Sequence, residues 1–221
     1  MKKLNLLCAA LLCAAILSSC GSGGSDTTSA ADTTSVALDS AASAMGQELS
    51  IDTTQSTLAW EGKKSIAGKE EGHNGTIALQ SGALQIEGGK LTGGSFTINM
   101  AAMKVLDLTD PKEQAKLISH LSTKDFFDVA QFPVAQFEIT EVKEGAEIPD
   151  ATHTITGNLT LKGVSKPVTF PAKVEGSGKN FSAQAALSIM RKDWGIAGSV
   201  IDKIFLKDNF DFKIQLKTIA Q

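Results

Sequence analysis

The chain has 221 residues, with 21 Lys and Arg against 24 Asp and Glu, which gives a formal net charge of −3. A mildly acidic chain lacks the basic surface that nucleic acid requires, so nucleic acid is excluded as a partner. The composition includes 10 Phe and 2 Trp but no Tyr, and all 3 cysteines lie within the first twenty residues.

The N-terminal segment has the parts of an export signal. Lys2 and Lys3 form a short positive region, and an apolar run of about fourteen residues follows, which is too short to cross a bilayer comfortably. The run ends in LSSCG at residues 17–21, the pattern of a lipobox in which Cys20 becomes a lipidated N-terminus. Residues 1–19 are therefore predicted to be a lipoprotein signal peptide. The alternative is ordinary cleavage beside an incidental cysteine.

The cysteines support export with a fatty-acyl anchor such as palmitate. Cys8 and Cys13 lie in the predicted signal peptide, so only Cys20 remains after cleavage and no disulfide forms within one mature chain. Removing residues 1–19 removes two lysines and no acid, which changes the net charge from −3 to −5. Membrane attachment is therefore expected through the lipid alone. Because Gly21 is not the aspartate of a retention signal, the periplasmic side of the outer membrane is favoured over the inner membrane.

The segment after the cysteine is predicted to be a tether. Residues 21–47 contain no Lys, Arg or aromatic residue and consist mostly of Ser, Thr, Ala, Gly and Asp. As a flexible coil this segment would span roughly 25–30 Å. We therefore divide the precursor into a signal peptide at 1–19, the lipidated cysteine and tether at 20–48, and one folded domain at 49–221.

The folded domain shows the alternating pattern of an antiparallel all-β protein. Short runs place apolar residues at every second position, so that each presents one apolar face. The runs centre on residues 58–60, 77–79, 84–86, 96–100, 137–139, 155–161, 168–174, 181–189 and 210–216. Glycines at 82, 88–89, 93–94, 163 and 176–178 are interpreted as turns or bends.

One segment is predicted to be helical. In LTDPKEQAKLISHLST, Thr109 or Asp110 can cap a helix, Pro111 suits its first turn, and apolar residues recur at helical spacing up to Leu121. About eight strands with one short helix near 110–121 favour a closed barrel, because closure removes exposed strand edges. An open sandwich is the alternative.

Three motifs in order resemble the YceI-like family. They are SHLSTKDFFDVAQFPVAQFEITEV, ITGNLTLKGVSKPVTFPAKV and IMRKDWGI, and the resemblance extends from about residue 49 to 217. Members of this family resemble small lipocalin-type barrels that bind isoprenoids or other long-chain lipids. The resemblance therefore implies a lipocalin-like barrel with a lipid-binding interior.

The same resemblance implies that inward apolar side chains line a ligand cavity. An eight-stranded barrel leaves just enough room for one slim ligand. The alternative is that the aromatic rings pack the helix onto a solid barrel. The candidate cavity residues are Trp60, Phe96, Ile98, Phe126, Phe127, Phe132, Phe137, Ile139, Leu159, Leu161 and Phe170.

Three polar residues are candidates for contact with a ligand head group. His73 matches a position where family members also carry histidine, and its alternative role is at a strand end. His120 ends the predicted helix, where capping of the last carbonyls is favoured over ligand contact. Arg191, the only arginine, is expected to form a fixed structural fork or a stacking contact beside Asp193 and Trp194, with phosphate contact as the alternative.

Catalysis finds little support in the sequence. The chain has no GxSxG, HExxH or suitably placed GxGxxG, and its 3 histidines show no metal-ligand spacing. The sequence therefore predicts a tethered, non-enzymatic carrier of an isoprenoid, quinone-like or fatty ligand, with no cofactor or metal. Its predicted partners are that lipid, the membrane through the anchor, and a second copy in a homodimer. The alternatives are a solid-cored interaction module and, more weakly, a lipid or amide hydrolase with His73 or His120 as base.

Overall fold

The computed structural model describes residues 46–199 and 202–219, and these residues are dominated by β-structure. The predicted signal peptide, Cys20 and almost all of the tether lie outside the described residues. The strands are β1 (Gln47–Ser50), β2 (Thr57–Ile66), β3 (Lys69–Glu87), β4 (Lys90–Val105), β5 (Val134–Glu144), β6 (His153–Leu161), β7 (Val164–Ser177), β8 (Asn180–Met190) and β9 (Leu206–Lys217).

Eight of these strands form a closed antiparallel barrel. Each of β2 to β8 pairs with the next strand along the chain, including across the helices, and β9 pairs with both β8 and β2. The pairing of β3 with β4 closes the ring, which excludes the open sandwich. Strand β1 adds to the far half of β3, and Ile51 then bridges to Thr218 after β9. The predicted all-β barrel is confirmed.

The helical segment is confirmed close to its predicted bounds. Helix α1 (Pro111–Leu121) begins after Asp110, whose Oδ1 accepts a hydrogen bond of 2.8 Å from the Lys112 N–H, and Pro111 occupies the first turn. A 3-10 helix (Arg191–Trp194) and a short helix α2 (Asp202–Phe205) join β8 to β9. In the part of the chain that is described, no helix has the length and apolar composition needed to cross a membrane.

Strand β3 was predicted as two short runs separated by a turn or bend at Gly82, and the structure differs from this prediction. It is one strand of 19 residues, and Gly82 lies inside it. Its pairing with β4 shifts register between Thr76 and Ala78 and again between Leu79 and Ser81. From Leu79 to Ser81 β3 advances two residues while β4 advances only from Ile98 to Thr97, so this bulge adds one residue to β3 and the inward face changes from odd to even numbers without any turn. Gly88 and Gly89, both with positive φ, form the turn that follows.

The interior contains two apolar clusters at opposite ends of the barrel. One cluster lies under α1 and includes Trp60, Phe127 and Phe210. The other surrounds the β3–β4 and β7–β8 turns and includes Leu84 and Phe181. Residues of both clusters line the free space described below.

Candidate ligand-binding site

An apolar cavity, which we call the tube, occupies the middle of the barrel. Its volume is about 110 Å³, and every residue that lines it is apolar. The wall alternates along each strand as the sequence pattern predicts, since successive inward side chains of one strand are two positions apart. The β8 and β9 walls consist of Ala183, Ala185, Leu187, Phe212, Ile214 and Leu216.

Inward side chains at the centre of the barrel keep accessible surface. Phe137, Val168 and Leu187 pack against both apolar clusters, yet they are only half-buried. A side chain that is flanked by buried neighbours and closed off from solvent keeps such surface because the space in front of it is empty. The Phe137 ring itself packs directly over Gly157, where a Cβ would overlap it. The interior of the barrel is therefore not solid.

The structure brings most of the predicted cavity residues together on the wall of the tube. These residues are Phe96, Ile98, Phe127, Phe137, Ile139, Leu159, Leu161 and Phe170. The rings of Phe96 and Phe137 lie 6.3 Å apart and those of Phe137 and Phe170 lie 5.7 Å apart, which forms an aromatic band on one side.

Three predicted cavity residues lie elsewhere. Trp60 and Phe126 line a second cavity under α1, and Phe132 lines neither cavity. The Phe132 ring lies over Gly163 at the β6–β7 turn, where the absence of a Cβ leaves room for it. Phe132 therefore packs a corner of the barrel. The sequence could not separate these roles, since all three residues are apolar aromatics close to a predicted interior.

The second cavity, which we call the vestibule, has a wall that combines apolar and polar side chains. It has a volume of about 180 Å³ and lies between α1, the β2–β3 hairpin and the segment before β9. All three head-group candidates, His73, His120 and Arg191, line it. Phe127 lines both cavities, so a ligand that occupies the tube and the vestibule together must pass its ring.

His73 is fixed by a carboxylate that the sequence analysis did not single out. Its Nδ1 lies 2.8 Å from Asp107 Oδ2, and Asp107 Oδ1 also accepts a hydrogen bond of 2.9 Å from the Asn74 N–H. Burial raises the pKa of Asp107, but the hydrogen bonds from Asn74 and His73 outweigh burial and leave the pKa below its usual value. Asp107 is therefore an anion that orients the imidazole. Position 73 lies within β3, so the alternative role at a strand end is not found.

His120 has the same arrangement with a different carboxylate. Its Nε2 lies 3.2 Å from Asp202 Oδ2, which also accepts from the Ser199 hydroxyl at 2.6 Å. Burial opposes the shift, but hydrogen bonds from Ser199 and the nearby His120 lower the pKa of Asp202. His120 was expected to cap α1, and this expectation is wrong. The hydroxyl groups of Ser122 and Thr123 donate hydrogen bonds to the last carbonyls of α1, and the His120 imidazole is bonded to Asp202 instead.

Arg191 is buried and acts as a structural fork. Only 1% of its surface is exposed. Its Nε donates to the Lys207 carbonyl at 2.9 Å, its Nη1 to the Ile196 carbonyl at 2.6 Å, and its Nη2 to the Leu206 carbonyl at 3.3 Å. Burial lowers the pKa of Arg191, and the charges of nearby aspartates oppose this shift.

The charged partner of Arg191 is not the one predicted from its sequence neighbours. Asp208 Oδ1 lies 3.3 Å from Nη2, whereas the expected partners were Asp193 and Trp194. The guanidinium therefore ties the end of β8 to the start of β9. Its donors are used by the backbone, which leaves little capacity for a phosphate.

The arrangement of polar residues does not resemble a metal centre. Within residues 46–199 and 202–219, no group of three or more His, Cys, Asp or Glu side chains converges closely enough to hold a metal ion. The two cavities thus combine an apolar tube with a chamber of mixed polarity whose wall includes two oriented imidazoles.

Comparison with protein families gives a match over nearly the whole described chain. A family model described as a YceI-like domain matches residues 49–218. A UPF0312 protein of Pseudomonas savastanoi pv. phaseolicola is 32% identical over 170 residues, which is 73% of this chain and 83% of that protein. A UPF0312 protein of Yersinia enterocolitica is 43% identical over 94 residues, 39% of this chain and 47% of that protein. The chain spans about half the length of the first curated relatives it matches.

Two solved structures share the fold. Burkholderia cenocepacia BcnA superposes with a TM-score of 0.59 at 23% identity and covers 76% of this chain and 99% of its own. A polyisoprenoid-binding domain from Saccharophagus degradans, implicated in plant cell wall breakdown, gives a TM-score of 0.54 at 13% identity and covers 78% of this chain and 98% of its own. At these identities the likeness concerns the fold.

Proposed function

The chain belongs to the YceI-like family, and on this premise we propose that it is a membrane-tethered carrier of one long-chain lipid of the isoprenoid, quinone-like or fatty class. The observation that carries this proposal is the tube, whose wall contains only apolar side chains. Water gains no hydrogen bonds from such a wall, so an apolar chain is a better occupant. The description of one structural neighbour as a polyisoprenoid-binding domain supports the same ligand class.

Burial of the ligand's apolar chain supplies enough free energy for binding, and no covalent step is needed. A prenyl or acyl chain that buries about 300 Å² in the tube gains on the order of 7 kcal/mol, from which the entropic cost of association must be subtracted. The mechanism is passive solvation: the tube surrounds the tail, and the vestibule receives the polar end. Within the described residues each of the two imidazoles is bonded to a carboxylate, which orients the ring and is not activated as a nucleophile by it, and this arrangement favours binding over hydrolysis.

Native mass spectrometry of residues 46–221, exported without the lipidated cysteine, tests the proposal. The closed barrel lies within this range, so the fragment contains the whole described fold. We expect a discrete added mass that organic extraction identifies as a prenyl or acyl species. A mass without addition, and no gain on incubation with prenyl quinones, prenyl alcohols or fatty acids, would contradict the proposal and favour a protein-docking module.

We further propose that the carrier is held in the cell envelope by lipid on Cys20, on the periplasmic side of the outer membrane. The LSSCG pattern at residues 17–21 and a following tether that contains no lysine or arginine support this placement. A tether of roughly 25–30 Å would keep the mouth of the carrier near the membrane that supplies its ligand.

Replacement of the anchor cysteine is expected to abolish lipidation. Cells grown with labelled palmitate should label the wild-type protein, whereas Cys20→Ser should carry no label, because the thioether-forming sulfur is absent. The double variant Cys8→Ser/Cys13→Ser is the matched control and should keep the label, since both sulfurs lie in the predicted signal peptide. Label in the Cys20→Ser protein would refute the anchor.

A further inference from the structure

We propose that the vestibule selects a neutral head group that donates a hydrogen bond, such as a hydroxyl or a primary amide, over an anionic phosphate or a head group without a donor. This inference rests on the proposed function, because the head group is the polar end of the lipid in the tube. It depends on the two imidazoles and on the charge state of the vestibule wall.

The imidazoles present acceptors to the vestibule. The Nδ1 of His73 is bonded to Asp107 and the Nε2 of His120 is bonded to Asp202. A carboxylate accepts only, so in a neutral imidazole the bonded nitrogen carries the proton and the other nitrogen carries a lone pair. Among the described residues, His73 Nε2 and His120 Nδ1 have no hydrogen-bond partner. Both rings are on the vestibule wall, so each offers one acceptor to a ligand.

The cations on the wall are already neutralised. Lys63 lies 3.3 Å from Glu61, Lys64 lies 3.6 Å from Glu71, and Lys207 lies 2.8 Å from Glu70. These pairs add little stability because they are exposed, but they cancel the positive field that a phosphate would need.

The remaining charges on the wall disfavour an anion as well. The donors of Arg191 serve three backbone carbonyls and Asp208. Asp202 lines the vestibule as an anion. An anionic head group would therefore lose its hydration without gaining a free cation in the described part of the wall. A hydroxyl or amide head group loses less hydration free energy and can donate a hydrogen bond to an imidazole.

Three probes that share one geranylgeranyl chain and differ only in the head group test this selection. They are geranylgeraniol, its methyl ether and geranylgeranyl diphosphate. Their affinities for the protein are measured by competition against a fluorescent fatty probe at about pH 8, where imidazole is ordinarily neutral. We expect the alcohol to bind about 3- to 10-fold more tightly than the ether, the worth of one hydrogen bond. We expect the diphosphate to bind at least about tenfold more weakly than the alcohol.

The double variant His73→Phe/His120→Phe removes both acceptors and keeps two flat rings. The ratio of its affinity for the alcohol to its affinity for the ether should fall to about one, while its affinity for the ether stays within about twofold of the wild-type value. His153→Phe is the matched control, because this histidine lines neither cavity and should keep the preference. The three-probe comparison on the wild-type protein remains decisive if the double variant fails to fold.

The failure of this inference differs from the failure of the proposed function. Equal affinities for alcohol and ether, or a diphosphate that binds as tightly as the alcohol, would refute the head-group selection and leave the carrier intact. Persistence of the preference in the folded double variant would refute the role of the imidazoles. If neither the three geranylgeranyl probes nor the fluorescent fatty probe binds, the carrier and this inference are contradicted together.

Discussion

Ala185→Phe is expected to abolish lipid retention while the barrel remains folded. Ala185 lies at the middle of β8, where it pairs with Ala172 on β7 and Ile214 on β9, and all three residues line the tube. A benzyl group in place of this methyl group would fill the space that we assign to the ligand. A variant of this kind adds no charge and no buried polar group, so folding is not penalised by desolvation.

The expected effect is large because the added ring replaces ligand contact. A phenylalanine side chain buries about 150–250 Å². If the ligand loses about 120 Å² of contact at ~25 cal/mol per Å², its binding weakens by about 3 kcal/mol, or more than about 100-fold. The unliganded protein should become more stable by about 0.5–2 kcal/mol, because the ring fills an apolar cavity. Retention and stability should therefore change in opposite directions.

Ala186→Phe is the matched control for this variant. Ala186 is the next residue on β8, it faces outward and is exposed, and it pairs with Lys213. The same substitution on this face should leave retention unchanged. The measurements are the extracted lipid per mole of protein and the thermal midpoint of each delipidated variant. Wild-type retention by a folded Ala185→Phe protein would place the ligand outside the tube.

The tube could be predicted from the sequence only where strands are regular. The inward faces of β8 and β9 alternate without interruption from Phe181 to Ile189 and from Phe210 to Leu216, so the pattern alone assigns them. Strand β3 could not be predicted in the same way. Its bulges change which residues face inward, and a bulge depends on the pairing partner and has no sequence signature of its own.

The sequence could not predict that the polar residues of the vestibule lie close together. The carboxylates that orient the imidazoles lie far along the chain, with Asp107 34 residues after His73 and Asp202 82 residues after His120. The carbonyls that receive Arg191 have no side-chain signal at all. The family resemblance indicated His73, the end of the predicted helix indicated His120, and Arg191 was noted as the only arginine. Their partners are common residues that only the barrel brings near.

Arg191→Met is expected to destabilise the barrel by about 3 kcal/mol, which for a domain of this size lowers the thermal midpoint by about 6–12 °C. Methionine matches the length of the side chain but donates no hydrogen bond. The carbonyls of Ile196, Leu206 and Lys207 would lose their donor, and Asp208 would lose one charged partner. Arg191→Lys should recover only part of the loss, because one ammonium cannot reproduce a planar fork.

Lys192→Met is the matched control for the fork. Lys192 lies 2.8 Å from the same Asp208 but is 55% exposed, so its loss should cost less than about 0.5 kcal/mol. Denaturant unfolding of the three variants and the wild-type protein measures these differences. An Arg191→Met protein as stable as the Lys192→Met protein would contradict the structural role.

The same variant also decides between a structural fork and a contact with the ligand. Arg191 lines the vestibule, but its hydrogen bonds are directed into the backbone between β8 and β9. Below its lowered thermal midpoint, Arg191→Met should therefore retain lipid to the same extent as the wild-type protein, because the wall of the tube does not include this residue. A folded Arg191→Met protein that binds geranylgeranyl diphosphate more weakly, yet binds the alcohol as before, would assign the guanidinium to a phosphate instead.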